Sequence, residues 1–111
     1  MPNQPLDFTD VDSLEKALAL FRAGKLEVLY LFPLEYGGEA VPQNTLYVPP
    51  GIADIKRQMD AMIGGMVKEG QITQYVAEPE YKGNSFIPCK INIKAWHPEK
   101  QGGLNPSINI W

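Results

Sequence analysis

The chain has one cysteine, one histidine, no excess of positive charge and no long apolar run, and each shortage excludes a class of function. Cys89 has no second thiol to pair with, so no internal disulfide staples the fold. Ten Lys and Arg against thirteen Asp and Glu leave a net charge of −3. Phosphate backbones find no general attraction there, and nucleic acid is not an expected partner. Glu27, Pro33 and Glu35 interrupt the best apolar candidate well short of the ~20 residues of a membrane helix. No membrane partner is expected. The opening Met1-Pro2-Asn3-Gln4-Pro5-Leu6 contains no basic region followed by an apolar run, so the cytoplasm is the default location.

Catalytic and metal chemistry are limited by the same scarcity. On one extended strand, the eight residues from Cys89 to His97 span about 26 Å, far beyond the reach of a nucleophile and its base. Cys89 reads as a small buried hydrophobe. One histidine and one cysteine supply no spaced ligand pair. Asp10 and Asp12 resemble the start of a calcium loop but lack its glycine and distal glutamate. Gly64-Gly65 belongs to no phosphate loop, because no Gly-Lys-Ser/Thr follows it. No cofactor, metal or catalytic group is therefore expected, and the chain reads more readily as a non-enzyme.

What is present is ordinary globular patterning over 111 residues, enough for one domain with its own core. Residues 1–9 read as a poorly structured lead-in. Asp10, Asp12 and Glu15 then mark a helix start, with Asp12 and Glu15 spaced as a capping box. Val11, Leu14, Ala17, Leu18 and Phe21 give its inner face, Leu20 points away, and Gly24 ends it. Residues 26–32 form a nearly continuous apolar run, the pattern of a central strand covered on both faces. Residues 33–44 hold too many breakers to be an element, and long loops of this kind often carry function. A short strand, 45–48, follows.

The best-specified stretch is 49–70. Ile52, Ile55, Met59, Met62, Ile63, Met66 and Val67 fall within roughly 140° on a helical wheel, between a Pro-Pro-Gly opening and the C-terminal cap Gly70. Two irregularities stand on it: Lys56, inside the apolar arc with Asp60 one turn later, and Gly64-Gly65 beside it. Lys56 reads as a snorkelling stem whose ammonium is paired at the rim. Beyond Gly70 the chain reads as strands at 72–78, 86–96 and 107–111. In the 86–96 strand Ile87, Cys89, Ile91, Ile93 and Ala95 alternate with polar neighbours.

These elements predict an α+β domain with two helices on one face of a mainly antiparallel, four- to five-stranded sheet. The order is α-β-β-α-β-β-β, and the second helix could cross between neighbouring strands. Functional expectations rest on surface residues. Asn92, Lys94 and Trp96 share one strand face and Trp111 ends the next strand. With Tyr36 in the 33–44 loop they form a candidate surface for an unidentified protein partner, as in a small accessory or inhibitor domain. The alternative is a small-ligand site beside the 49–70 helix, approached by Lys56, Tyr36 and Glu78. Monomer and homodimer are both compatible with the sequence.

Overall fold

The computed structural model describes residues 7–111. Its elements run α1 (Leu14–Arg22), β1 (Glu27–Tyr30), β2 (Thr45–Val48), α2 (Ile52–Lys68), β3 (Gln74–Tyr81), β4 (Pro88–Trp96), β5 (Gly103–Leu104) and β6 (Ser107–Asn109). This is the α+β class and order that the patterning predicts, with the two-residue β5 added inside the expected last loop. All pairings are antiparallel. The strands divide into two sheets, β1 with β2, and a four-stranded sheet in which β4 has β3 along one edge and β5 and β6 along the other.

This division corrects two expectations. β1 is not central, since among the described residues it pairs with β2 alone, and α2 joins the two sheets rather than crossing between neighbours in one. The apolar run misleads for a physical reason: alternate residues of an extended segment face opposite ways. Leu26 enters one hydrophobic cluster, with Val11, Ala17 and Ile87, while Leu29 enters the main core. A strand between two cores looks like a strand between two neighbours. The main core joins α2 and both sheets through Val48, Ile63, Ile91, Ile93 and Ile108.

Helix α1 begins at Ser13, whose hydroxyl accepts the Lys16 N–H at 3.2 Å. The capping box expected at Asp12 does not form, because that carboxylate pairs with the Lys16 ammonium at 2.8 Å. Leu20 packs against the smaller core, whereas Leu14 and Phe21 are exposed. Part of the expected lead-in, 1–6, lies outside the described residues. Phe8 is packed edge-on against Trp111, and its carbonyl accepts the Ser85 hydroxyl at 2.8 Å.

Helix α2 is capped by a residue distant in sequence. The Glu27 carboxylate on β1 accepts the backbone N–H groups of Gly51 at 2.9 Å and Ala53 at 3.1 Å, satisfying donors that a helix start leaves open. At the other end Gly70, with φ of 74°, allows Gly70 N–H to reach Val67 O and Gln71 N–H to reach Met66 O, a Schellman closure. The buried face of α2 is rotated from the apolar arc: Ala53, Lys56, Asp60, Ile63 and Gly64 are buried, while Ile55 and Met62 are 42% and 54% exposed. The prolines at 49 and 50 precede the helix rather than opening it.

β3 continues through Pro79 to Tyr81, past the strand end expected at 78, because an edge strand tolerates a residue without an N–H. The cap on α2 is directly testable. Glu27→Ala should lower the free energy of unfolding by about 1 kcal/mol, and Glu27→Gln by less, in urea denaturation with unchanged m.

Candidate functional site

The 33–44 loop is a pinned strap. Two single-turn 3-10 helices, Leu34–Tyr36 and Pro42–Asn44, lie within it. Asn44 closes its neck: its side-chain oxygen accepts Phe32 N–H at 2.7 Å, and its side-chain nitrogen donates to Phe32 O at 3.0 Å and Glu39 O at 2.9 Å. Its backbone carbonyl also takes Leu31 N–H at 3.0 Å. From the first 3-10 turn Tyr36 reaches α2 and rests its hydroxyl end on Gly64, where any Cβ would collide with it. The first of the two helical glycines is therefore a seat for the strap.

Beneath the strap lies a charged network out of water. Lys56 is 2% exposed and donates from Nζ to Asp60 Oδ2 at 2.7 Å and to the Tyr75 hydroxyl at 3.1 Å. Tyr75, arriving from β3, donates to Asp60 Oδ1 at 2.7 Å. Lys56 does not snorkel to the rim. Its position on the rotated face directs it inward, and Asp60 and Tyr75 together supply the polar partners that a buried ammonium requires. Among the described residues no buried side-chain nitrogen or oxygen is left without a hydrogen bond.

Burial pushes the Lys56 ammonium below the ordinary lysine range, against the opposing pull of the Asp60 carboxylate and of Glu35. Burial, and then the Asp60 carboxylate, hold the Tyr75 phenol well above its usual value. The Tyr75 phenol is thereby held away from neutral pH.

Two hollows flank the strap and share Pro33 and Asp60. One, of about 490 Å³, has Val28, Leu34, Glu35, Lys56 and Arg57 in its lining. Arg57 is itself paired with Asp54. The other, of about 410 Å³, is walled by Phe32, Tyr36, Val67 and Tyr75 over Ile63 and Ile72. Lys56 and Tyr36 thus line neighbouring hollows on the two sides of the strap, joined through Pro33 and Asp60. Glu78 does not join them. It lines a third hollow, about 330 Å³, on the outer sheet face with Val76, Asn92, Lys94 and Ser107.

On that outer face Asn92 donates to Glu80 and accepts the Ser107 hydroxyl at 3.0 Å, and the Lys94 ammonium lies 5.1 Å from the Trp96 ring centre. Trp111 is not brought to this surface. Its indole N–H donates to Ile87 O at 3.0 Å, and its ring packs against both hydrophobic clusters beneath the Lys82 ammonium. Cys89 is half-buried. Asp60 is visible in the sequence only through its spacing from Lys56, and Tyr75 only through strand parity. Asn44 and Phe32 carry no signal that would have marked them.

The chain matches no family model, no curated protein and no solved structure.

Two outcomes test the network. Asp60→Ala, which leaves a buried ammonium unpaired, should cost about 3–5 kcal/mol, whereas Lys56→Met combined with Asp60→Leu should recover most of that loss in chemical denaturation. Tyr75→Phe should be less stable than the parent at neutral pH, with the gap narrowing above pH ~10. A phenol that keeps its proton longer when folded contributes fully below its unfolded value and loses that contribution as pH rises beyond it. Lys56 runs in the opposite sense, and it is common to both proteins. Stability measured from pH 8 to 11 checks the comparison.

Proposed function

We propose that this chain is a small cytoplasmic contact domain without catalytic activity, an accessory or inhibitor protein whose partner is another protein. One observation carries the reading. Phe32, Tyr36 and Val67, at 38%, 45% and 45% exposure, stand around the same groove between the strap and α2. Single exposed apolar residues need no explanation, but several lining one concavity suit a partner's apolar side chain. Tyr36 supplies an aromatic anchor with a polar tip, the type of residue enriched at contact hot spots. The outer face with Asn92, Lys94 and Trp96 offers a second, more polar surface, to which Trp111 does not contribute.

A second reading has its own support. Asp60 borders both hollows and its partner Lys56 lines the larger, and a concave apolar site with a few convergent polar groups suits a small ligand. Glu78 has no part in that site, which would be formed by Lys56, Asp60, Tyr75 and Tyr36.

Immobilised protein exposed to native extract separates the surfaces. A captured protein should be retained by the parent and by a Lys94→Ala, Trp96→Ala double variant. Phe32→Asp and Val67→Asp, verified as folded by circular dichroism, should each lose it about tenfold, ~1.4 kcal/mol. Equal retention by all four proteins would overturn the groove as the contact surface. Loss in the double variant alone would move the contact to the outer sheet face. Stabilisation of the parent by a metabolite, abolished by Asp60→Asn, would favour the small-ligand reading.

A further inference from the structure

We infer that β3 is a docking edge that takes an extended basic segment of another protein as an added strand, with one apolar side chain of that segment seated in the strap groove. This rests on the contact-domain reading and assigns the partner its chemistry. The edge is open: β3 is eight residues long and lies at the end of its sheet, and among the described residues its backbone is hydrogen-bonded only to β4. Such an edge presents unpaired N–H and C=O groups at strand spacing, ready for another chain. Pro79 withdraws a donor partway along, leaving 74–78 as the usable length.

Edge and groove are continuous. Gln74 and Tyr75, the first residues of β3, also line the groove with Phe32, Tyr36 and Val67. Tyr75 and Ala77 face the helix side and pack on the core, while Gln74, Val76 and Glu78 alternate to the outer face. An added strand lies about 4.8 Å from β3, so its alternate side chains project over the same two faces. One set is directed toward the groove and the other lies beside Glu78 and Glu80.

Charge decides the occupant. Glu78 and Glu80 are exposed on β3, and neither forms an ion pair among the described residues, nor do Glu35 and Glu39 on the strap. On β4, Lys90 stands opposite Glu80 and Lys94 lies diagonal to Glu78, but neither ammonium closes to an ion pair with them, and that of Lys94 is drawn over Trp96. A strand with lysine or arginine on its outer face therefore gains cross-strand pairs with carboxylates that form no ion pair within the chain. A second copy of this chain, paired antiparallel about Val76, would set Glu78 against Gln74 and gain no such charge pair. The partner is consequently a different, basic chain.

A capped synthetic peptide, Lys-Thr-Lys-Leu-Lys-Thr-Lys, puts all its lysines on one strand face and its leucine on the other, and serves as the probe. In NMR titrations it should shift and slow the exchange of amides in 74–78. Methylating alternate backbone nitrogens on its docking side should abolish binding. Replacing its lysines by glutamates should weaken binding to the parent about tenfold and restore it to a Glu78→Lys, Glu80→Lys variant. No response in 74–78 up to ~1 mM peptide, or binding indifferent to N-methylation, overturns strand addition. Phe32→Asp separates the two levels of the claim. If it abolishes a binding that N-methylation leaves intact, groove contact stands and strand addition falls; if peptide and native-partner binding both ignore it, the groove falls as well.

Discussion

An ammonium and a carboxylate removed from water cost several kcal/mol each, and Lys56 and Asp60 recover that cost only in the geometry that Tyr75 completes. The network therefore acts as a register pin. Tyr75 stands on β3, Lys56 and Asp60 on α2, and the Tyr75 hydroxyl also lies 3.4 Å from the Leu31 carbonyl at the end of β1. Three separate parts of the chain meet at one polar point inside an apolar core. Rotating α2 to bury Ile55 and Met62 instead would expose the pair and part it from Tyr75. The observed rotation leaves those two residues at the surface and keeps the three-way junction.

The same junction positions the proposed contact surface. Phe32 follows Leu31 directly and stands edge-on to the Tyr75 ring at 5.6 Å, so the network's aromatic member is also a wall of the groove. Tyr36 closes the other side by resting on Gly64, one turn beyond Asp60 on the buried face of α2. Groove shape and core stability are thus coupled through shared residues. A partner side chain entering there would meet a preformed, rigid floor, which reduces the ordering cost of association.

Fold class, element order and the alternation in β4 were legible in the sequence because each depends on local periodicity. The pairing of β1 was not, since an apolar run records burial on two faces without saying what buries them. The buried face of α2 departs from its apolar arc for a related reason. A hydrophobic wheel counts Lys56 and Asp60 against burial, yet a charged pair with a buried partner on another element belongs inside. The spacing of Lys56 and Asp60 was visible, but Tyr75 lies 19 residues beyond Lys56 and no short-range pattern couples them. Ser13 took the cap expected of Asp12 because the carboxylate found an ammonium one turn away. Glu27 reaches Gly51 across 24 residues, and Asn44 reaches Phe32 across 12, through side-chain contacts that only the folded backbone creates.

The neck that Asn44 ties has a mechanical meaning. Its side chain binds both backbone groups of Phe32, while its own carbonyl holds Leu31 immediately beside β1. The strap is therefore a closed ring rather than a hanging flap. A pull on Tyr36 is carried through the neck into the paired strands as shear instead of opening the loop, so displacement at the groove and slippage of β1 against β2 are one deformation.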